Sequence, residues 1–420
     1  MQKLLIKGGK KLSGEVVISG SKNASLPIII SSLLFDDLVH FENVPKVRDI
    51  FTLINLIKVL GREVEFNEEK EILKISNKNK NKYFAPYSIM RTMRAGVLVL
   101  APLLAKFGKA RVSLPGGCSI GARPVNLHLE ALKKLGAKIN VKNGYIDAIA
   151  PKGLSGSNIK FPSISVGATE SIIIAAVLAK GITKISNAAI EPEIIDLINF
   201  LNKCGADIEY NSQRKIIIKG VKFLYPVRYR IIPDRIEAAT YAVAALITNG
   251  KLLIKKVNNE HLKNIFNVLK KIGANIKIFK DSFVIFRKRK LKPFKIITKP
   301  YPGFPTDMQA QFMALATQIK GSSVINEEIF ENRFLHVSEL MRMGADIKIK
   351  KQKAVINGIK NLNSAEVMAT DLRASVSLVL AALSATGTTT INRIYHLDRG
   401  YSKLEKKLNL CGANIKRVND

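Results

Sequence analysis

Cys118 stands in the segment SLPGGCSIGARPVNLHLEALKKLGA (113–137), directly after two glycines and shortly before Arg123. The glycines let the backbone bend freely beside the thiol. Pro124 suits a first helical turn, so a helix is predicted to begin near it. A thiol close to a cation and a helix start is biased toward thiolate and open to reaction. Spacing alone leaves two readings open, a reactive thiol and a loop cysteine without a role. Cys204 and Cys411 offer an internal comparison. Both sit just before a helix-terminal glycine, where other repeats of the chain have Leu, Ile or Met, and both read as core.

The carboxylates at helix starts are the second group. Asp307 in FPTDMQAQF and Asp371 in MATDLRAS are residues of the N-cap or first-turn type, which accept from free backbone N–H groups. Either could act as a general base toward a hydroxyl within hydrogen-bond reach. Asp307 also follows the Pro-rich bend YPGFPT, which fixes its placement. Asp234, Arg235 and Glu237 read equally well as a local ion-paired set and as ligand contacts.

The cations are the third. Lys22, Arg94, Arg235 and Arg373 lie at or near predicted helix starts, and Arg123 lies just before one. Arg333 in FENRFLH and Arg399 in HLDRGY fall in loops that feed later helices. A helix N-terminus already carries partial positive charge, so a cation there is disfavoured unless an anion compensates. Taken singly, Arg333 and Arg399 read as surface salt-bridge partners. Recurring at equivalent loop ends, the set predicts a ligand with several carboxylate or phosphate groups, which arginine grips in bidentate fashion.

Those positions recur because the chain repeats. The helix ending "Leu-Gly-Ala-polar-Ile" appears as LGREV, LGAKI, CGADI, IGANI, MGADI and CGANI, with glycines at 61, 136, 205, 273, 344 and 412. Their spacings of 75, 69, 68, 71 and 68 residues are too long for a solenoid, whose repeats run to about 20–50 residues. Each unit reads as strand, buried helix, strand, amphipathic helix and hairpin, the segment SVGATESIIIAAVLAKG being apolar on every face. Six such units divide into two lobes of three, with a boundary near YPVRYRIIPDR (225–235). The expected lobes are 22–232, carrying the Cys118 loop, and 1–21 with 233–420. The last unit lacks its closing hairpin, which residues 2–19 could complete. A cleft between lobes is a preferred ligand site.

Composition narrows the class. At 47% hydrophobic and 24% charged residues the chain is globular. Its longest apolar runs are too short to span a bilayer, and the start MQKLLIKGGKKLSG lacks the pattern of a signal peptide. Three cysteines without paired spacing fit a reducing compartment, so a cytoplasmic protein without a membrane partner is expected, as a monomer. The net charge of +34 invites a nucleic-acid reading. Much of the lysine, however, lies in Asn-interleaved surface stretches such as NEEKEILKISNKNKNKYF, and no recognition motif accompanies it, so no specific nucleic acid is expected. Phosphate-loop, dinucleotide and nucleophile-elbow motifs are absent. The five histidines show no metal-ligand spacing, which predicts a reaction without metal or cofactor.

In order along the chain stand SGSKNA, TMRA, LPGGCSIGARPVNLH, SVGAT, EPEI, PDRIE, FPTDMQAQ, FENRF, MATDLRAS and YHLDRGY. This series resembles the UDP-N-acetylglucosamine 1-carboxyvinyltransferase family over essentially the whole length. The resemblance implies a two-lobed inside-out α/β barrel, each lobe of three βαβαββ units around buried helices. It implies transfer of the enolpyruvyl group of phosphoenolpyruvate to the 3′-hydroxyl of UDP-N-acetylglucosamine. Carried over by position, Cys118 is the general acid, and Asp307 contacts the reacting sugar and takes the hydroxyl proton. Lys22 and Asn23 bind phosphoenolpyruvate. Arg94, Arg123, Arg373 and Arg399 surround the anionic groups, with Lys22 and Arg399 counted as catalytic. Arg123, Pro124, Val125, Asn126 and Leu127, with Ser165, Val166 and Ile329, line the nucleotide-sugar site. Arg333 and Asp371 help closure or orientation. Ser163 stands where family members often carry Lys, so that diphosphate contact is weaker here. The resemblance also implies that an epoxide phosphonate of the fosfomycin type alkylates Cys118.

Overall fold

The computed structural model describes residues 2–77, 82–116 and 125–419. Each unit contributes two principal helices, numbered here in pairs. The inner ones are α1 (Lys22–Ile30), α3 (Leu100–Phe107), α5 (Val166–Ala176), α7 (Arg235–Ile247), α9 (Gln309–Ala316) and α11 (Leu372–Ser384). The outer ones are α2 (Arg48–Val59), α4 (Asn126–Lys134), α6 (Pro192–Lys203), α8 (Lys263–Lys271), α10 (Val337–Arg342) and α12 (Leu404–Leu410).

The two sets differ because their sequences differ. Every residue of α5 from Ala168 to Ala176 is buried, and so is α11 from Arg373 to Leu383. Burying Ile172, Ile173 and Ile174 contributes about 2 kcal/mol each. In α6 the apolar residues recur at helical spacing, leaving Lys203 outward. The outer helices stop at the repeated glycines, which adopt φ of 89° to 105° from Gly61 through Gly412. That left-handed geometry closes a helix at little cost only when no Cβ is present.

The strands form six four-stranded sheets of one pattern. In the third, Asn158–Lys160 runs parallel to Ile182–Ser186, which pairs antiparallel with Lys215–Lys219, and that strand pairs with Asp207–Tyr210. The mixed α/β architecture of βαβαββ units around buried helices is therefore the one expected from the repeat.

Three strands are exchanged along the chain. β1 (Gln2–Lys7) lies between Thr388–Asn392 and Asn414–Asn419, antiparallel to both, and so completes the last sheet. β2 (Ser13–Val17) opens the fourth sheet beside Lys251–Lys255. Arg228–Arg230 opens the first, beside Val39–Glu42. Two compact units result, one of residues 2–19 and 233–419, the other of the described residues from 20 to 232. Each has its own apolar core. In the second, Phe200 is packed by Phe35, Phe41 and Tyr229 at ring-centre distances of 5.9, 5.5 and 5.2 Å. No described helix is long and apolar enough to cross a membrane.

Candidate active site

Lys22 is the first residue of α1, whose N-cap Ser21 accepts from the Ala24 N–H. The anion that a cation there requires is Asp49, in the first turn of α2: its Oδ2 lies 3.4 Å from Lys22 Nζ, and its side chain is only 5% exposed. A further carboxyl interacts with the same ammonium. Glu170 of α5 is fully buried, and burial, then the neighbouring Glu193 and Glu191, push its carboxyl well above the usual range, with Lys22 acting the other way. Asn23 follows Lys22 on the same turn and is half-buried.

A second group gathers around α4. Its start carries Val125, Asn126 and Leu127, and His128 Nδ1 lies 2.8 Å from Ser171 Oγ of α5. Burial first, and then Arg94, push His128 down to about 4, so it is neutral at pH 7. Arg94 opens a 3₁₀ turn, Arg94–Val99, that runs into α3; it does not start an α-helix as the motif suggests. Ser165 caps α5 through the Ala168 N–H, Val166 begins that helix on an exposed face, and Ser163 is exposed just before it. Arg94, the start of α4 and the start of α5 thus come together in this unit. Gly116, beside the thiol loop, packs against backbone: a Cβ there would fall 2.4 Å from the Arg91 carbonyl oxygen. Cys118, Arg123 and Pro124 lie outside the described residues.

The third group belongs to the other unit. Asp307 sits in a 3₁₀ turn, Thr306–Met308, ahead of α9, and does not cap a helix. Its Oδ1 accepts from Arg333 Nη2 at 2.8 Å and its Oδ2 from Arg373 Nη2 at 2.9 Å. Both guanidinium groups are 5% exposed, the carboxylate 26%. Neither arginine is a surface salt-bridge partner. Arg333 also donates to Thr306 Oγ1 at 2.8 Å, and Arg373 to the Tyr401 hydroxyl at 3.1 Å. Burial acts to raise the Asp307 carboxyl, but Arg373 and Arg333 outweigh it and hold it well below the ordinary range. Asp371 is the N-cap of α11, accepting from the Arg373 and Ala374 N–H groups at 2.7 and 3.0 Å. It therefore sets the helix start from which Arg373 extends. Ile329 is half-buried just after the strand Ser322–Asn326, and Arg399 ends the 3₁₀ turn Ile394–Arg399.

Two arginines that fix one carboxylate can equally receive a phosphate or a carboxylate of a ligand. Comparison with known proteins decides the lineage. The sequence matches the family described as EPSP synthase (3-phosphoshikimate 1-carboxyvinyltransferase) over residues 6–408. A UDP-N-acetylglucosamine 1-carboxyvinyltransferase of Pelagibacter ubique is 55% identical over 419 residues, covering 100% of both chains. One from Geotalea uraniireducens is 54% identical over 421 residues, again 100% of both. The chain belongs to the EPSP synthase family, among its UDP-N-acetylglucosamine 1-carboxyvinyltransferases. Solved structures agree on the fold. The enolpyruvyl transferase NikO from Streptomyces tendae superposes with a TM-score of 0.91 at 23% identity, over 100% of this chain and 99% of that one. EPSP synthase from Acinetobacter baumannii gives 0.77 at 19% identity, over 100% of each chain.

In this carboxyvinyltransferase several residues near the candidate groups go beyond those singled out by spacing. Asp49 pairs with Lys22, Glu170 interacts with it electrostatically and is itself raised by Glu191 and Glu193, and Tyr401 and Thr306 bind the arginines. The available signal was a charged residue inside an otherwise apolar helix, as Glu170 is in SVGATESIIIAAVLA. Asp234, Arg235 and Glu237 each have an identified contact of their own. Asp234 caps α7 at the Ile236 and Glu237 N–H groups, Arg235 lies over the Tyr301 ring, and Glu237 pairs with Lys407 at 2.7 Å. Cys204 and Cys411 are buried core residues, and burial pushes the Cys204 thiol up to about 12.

Proposed function

We propose that this chain transfers the enolpyruvyl group of phosphoenolpyruvate to the 3′-hydroxyl of UDP-N-acetylglucosamine and releases inorganic phosphate, the opening step of peptidoglycan synthesis, in the cytoplasm and without a cofactor. The observation that carries the residue assignment is Asp307 gripped by Arg333 and Arg373, a preformed anion-binding fork around a carboxylate. In this proposal Cys118 donates its thiol proton to the enol methylene carbon, which makes the neighbouring carbon electrophilic. The sugar hydroxyl adds there while Asp307 takes its proton, giving a tetrahedral ketal. The carbon–oxygen bond to phosphate then breaks, a proton leaves the new methyl group for the thiolate, and the enol ether remains. Lys22 and Asn23 hold phosphoenolpyruvate. Arg94, Arg123, Arg373 and Arg399 compensate phosphate and carboxylate charge. Val125, Asn126, Leu127, Ser165, Val166 and Ile329 contact the nucleotide sugar.

The geometry adds a requirement. While both guanidinium groups hold it, Asp307 is a weak base, because its carboxyl lies well below the usual range. An arriving substrate anion that draws one arginine to itself takes a cation away from Asp307 and raises its proton affinity. The fork thus couples anion binding to the appearance of the base.

Incubation with phosphoenolpyruvate and UDP-N-acetylglucosamine should release phosphate and yield a nucleotide product whose mass matches the enolpyruvyl ether. Phosphate release supported by 3-phosphoshikimate, and not by the nucleotide sugar, would assign the chain to the other acceptor.

A further inference from the structure

Glu327 follows the strand Ser322–Asn326 and is completely buried. A carboxylate in that position is costly unless its lone pairs are satisfied. Here four neutral donors satisfy them. Oε1 accepts from the N–H groups of Ile329 at 3.0 Å and Phe330 at 3.1 Å, and from Thr298 Oγ1 at 3.0 Å. Oε2 accepts from Thr306 Oγ1 at 2.8 Å.

The directions of these bonds are fixed. Thr306 has one hydroxyl hydrogen and gives it to Glu327, so its remaining lone pairs face Arg333, whose Nη1 donates to it at 2.8 Å. The other nitrogen of that guanidinium, Nη2, donates to Asp307 Oδ1 at 2.8 Å. Thr298 accepts from the Glu328 N–H at 2.9 Å, and of its two acceptors the Glu327 carboxylate at 3.0 Å is nearer than the Asn326 carbonyl at 3.5 Å. An unbroken series therefore runs from the turn at Ile329, through one buried carboxylate, to Thr306, Arg333 and Asp307. Such chains polarise one another when one end is charged.

We propose that Glu327 is a positioning residue for the transfer: it holds the Ile329 turn and the Arg333–Asp307 pair in one fixed register. The proposal rests on the reading of Asp307 and Ile329 as substrate-contacting groups. A glutamine cannot replace it, since its amide nitrogen would meet the Thr306 hydroxyl hydrogen with a hydrogen of its own. Thr306 would have to turn its hydrogen elsewhere and accept from the amide instead, so the oxygen that receives Arg333 would no longer be oriented by donation to residue 327.

Steady-state kinetics and melting temperature of Glu327→Gln, Thr306→Val and the double variant test this. Each single change should lower kcat by about 10- to 100-fold, the cost of a small misplacement of reacting groups, with a melting temperature lower by only a few degrees for the buried polar groups left unpaired. The double variant should be no worse than the poorer single one, because both cut one series. A folded Glu327→Gln enzyme with wild-type kcat, or single losses that multiply in the double variant, would overturn the proposal. Where Glu327→Gln does not fold, unchanged kcat in Thr306→Val does the same. Amide exchange supplies a readout independent of turnover: Ile329 and Phe330 should exchange faster in Glu327→Gln, and unchanged exchange sinks the idea. Absence of product with the wild-type chain would instead remove the functional reading.

Discussion

Replacing Asp307 by alanine would leave Arg333 and Arg373, both almost fully buried, pointing at one another without their shared anion. Breaking a buried pair from one side costs about 3–5 kcal/mol. Asp307→Ala should therefore lower the melting temperature and also cut turnover by about 10²–10⁴-fold, the range for a lost acid or base. Cys118→Ser should show the turnover loss. Near-normal rates in either variant would end the role assigned to that residue. A different carboxylate carries a pH signature. Burial pushes Asp196 up to about 6, against hydrogen bonds from Tyr229 and the Ile232 N–H. Its folded-state value is raised, so its stabilising effect is complete below the unfolded value of 3.8 and fades as pH rises through about 6. Between pH 4 and 7 the stability of Asp196→Asn relative to wild type should rise, measured by urea titration; a flat difference would contradict the buried setting. At this scale Asp307 was marked by the proline-rich bend before it, and the structure brings two arginines to it. The acid of α5 that interacts with Lys22 was not legible as such, since Glu170 lies far from residue 22 in sequence and meets it only through packing.

Helices end where the repeat says they should, because a glycine with positive φ is a local requirement that no distant contact can rewrite. Their starts are less obedient. Asp371 behaves as the cap its position implies, but Asp307 gives its oxygens to two guanidinium groups, where both partners carry charge. The 3₁₀ turns at Arg94 and Asp307 were invisible for the same reason: tertiary partners, absent from any local window, decide them. Asp371→Ala removes acceptors from the Arg373 and Ala374 N–H groups. It should cost about 1 kcal/mol of stability, and substrate affinity should fall with it, since Arg373 leaves the helix at that turn. Unchanged KM values for both substrates would separate Asp371 from the site.

Across the whole chain the count of units was plain from six spaced glycines, but the ownership of three strands was not. Strand patterning says which residues are extended; it does not say whose edge they complete. Only β1 was marked by a sequence clue, the missing hairpin of the last unit. Leu4 and Ile6 of that strand are fully buried, and together contribute about 4 kcal/mol. Deleting residues 2–8 would also open the edges of Thr388–Asn392 and Asn414–Asn419. The truncated protein should aggregate, as size-exclusion chromatography would reveal; a soluble chain with unaltered melting would show the strand to be dispensable.

That same strand sets a timetable for biogenesis. The ribosome makes β1 about 400 residues before its neighbour Asn414–Asn419. At about 5–20 residues per second the leading strand waits on the order of 20–80 s for its partner. The unit of residues 20–232 takes its strands from one uninterrupted stretch and can mature in the meantime. Pulse-labelled amide exchange on nascent chains should therefore find β1 protected only after Asn414–Asn419 has emerged.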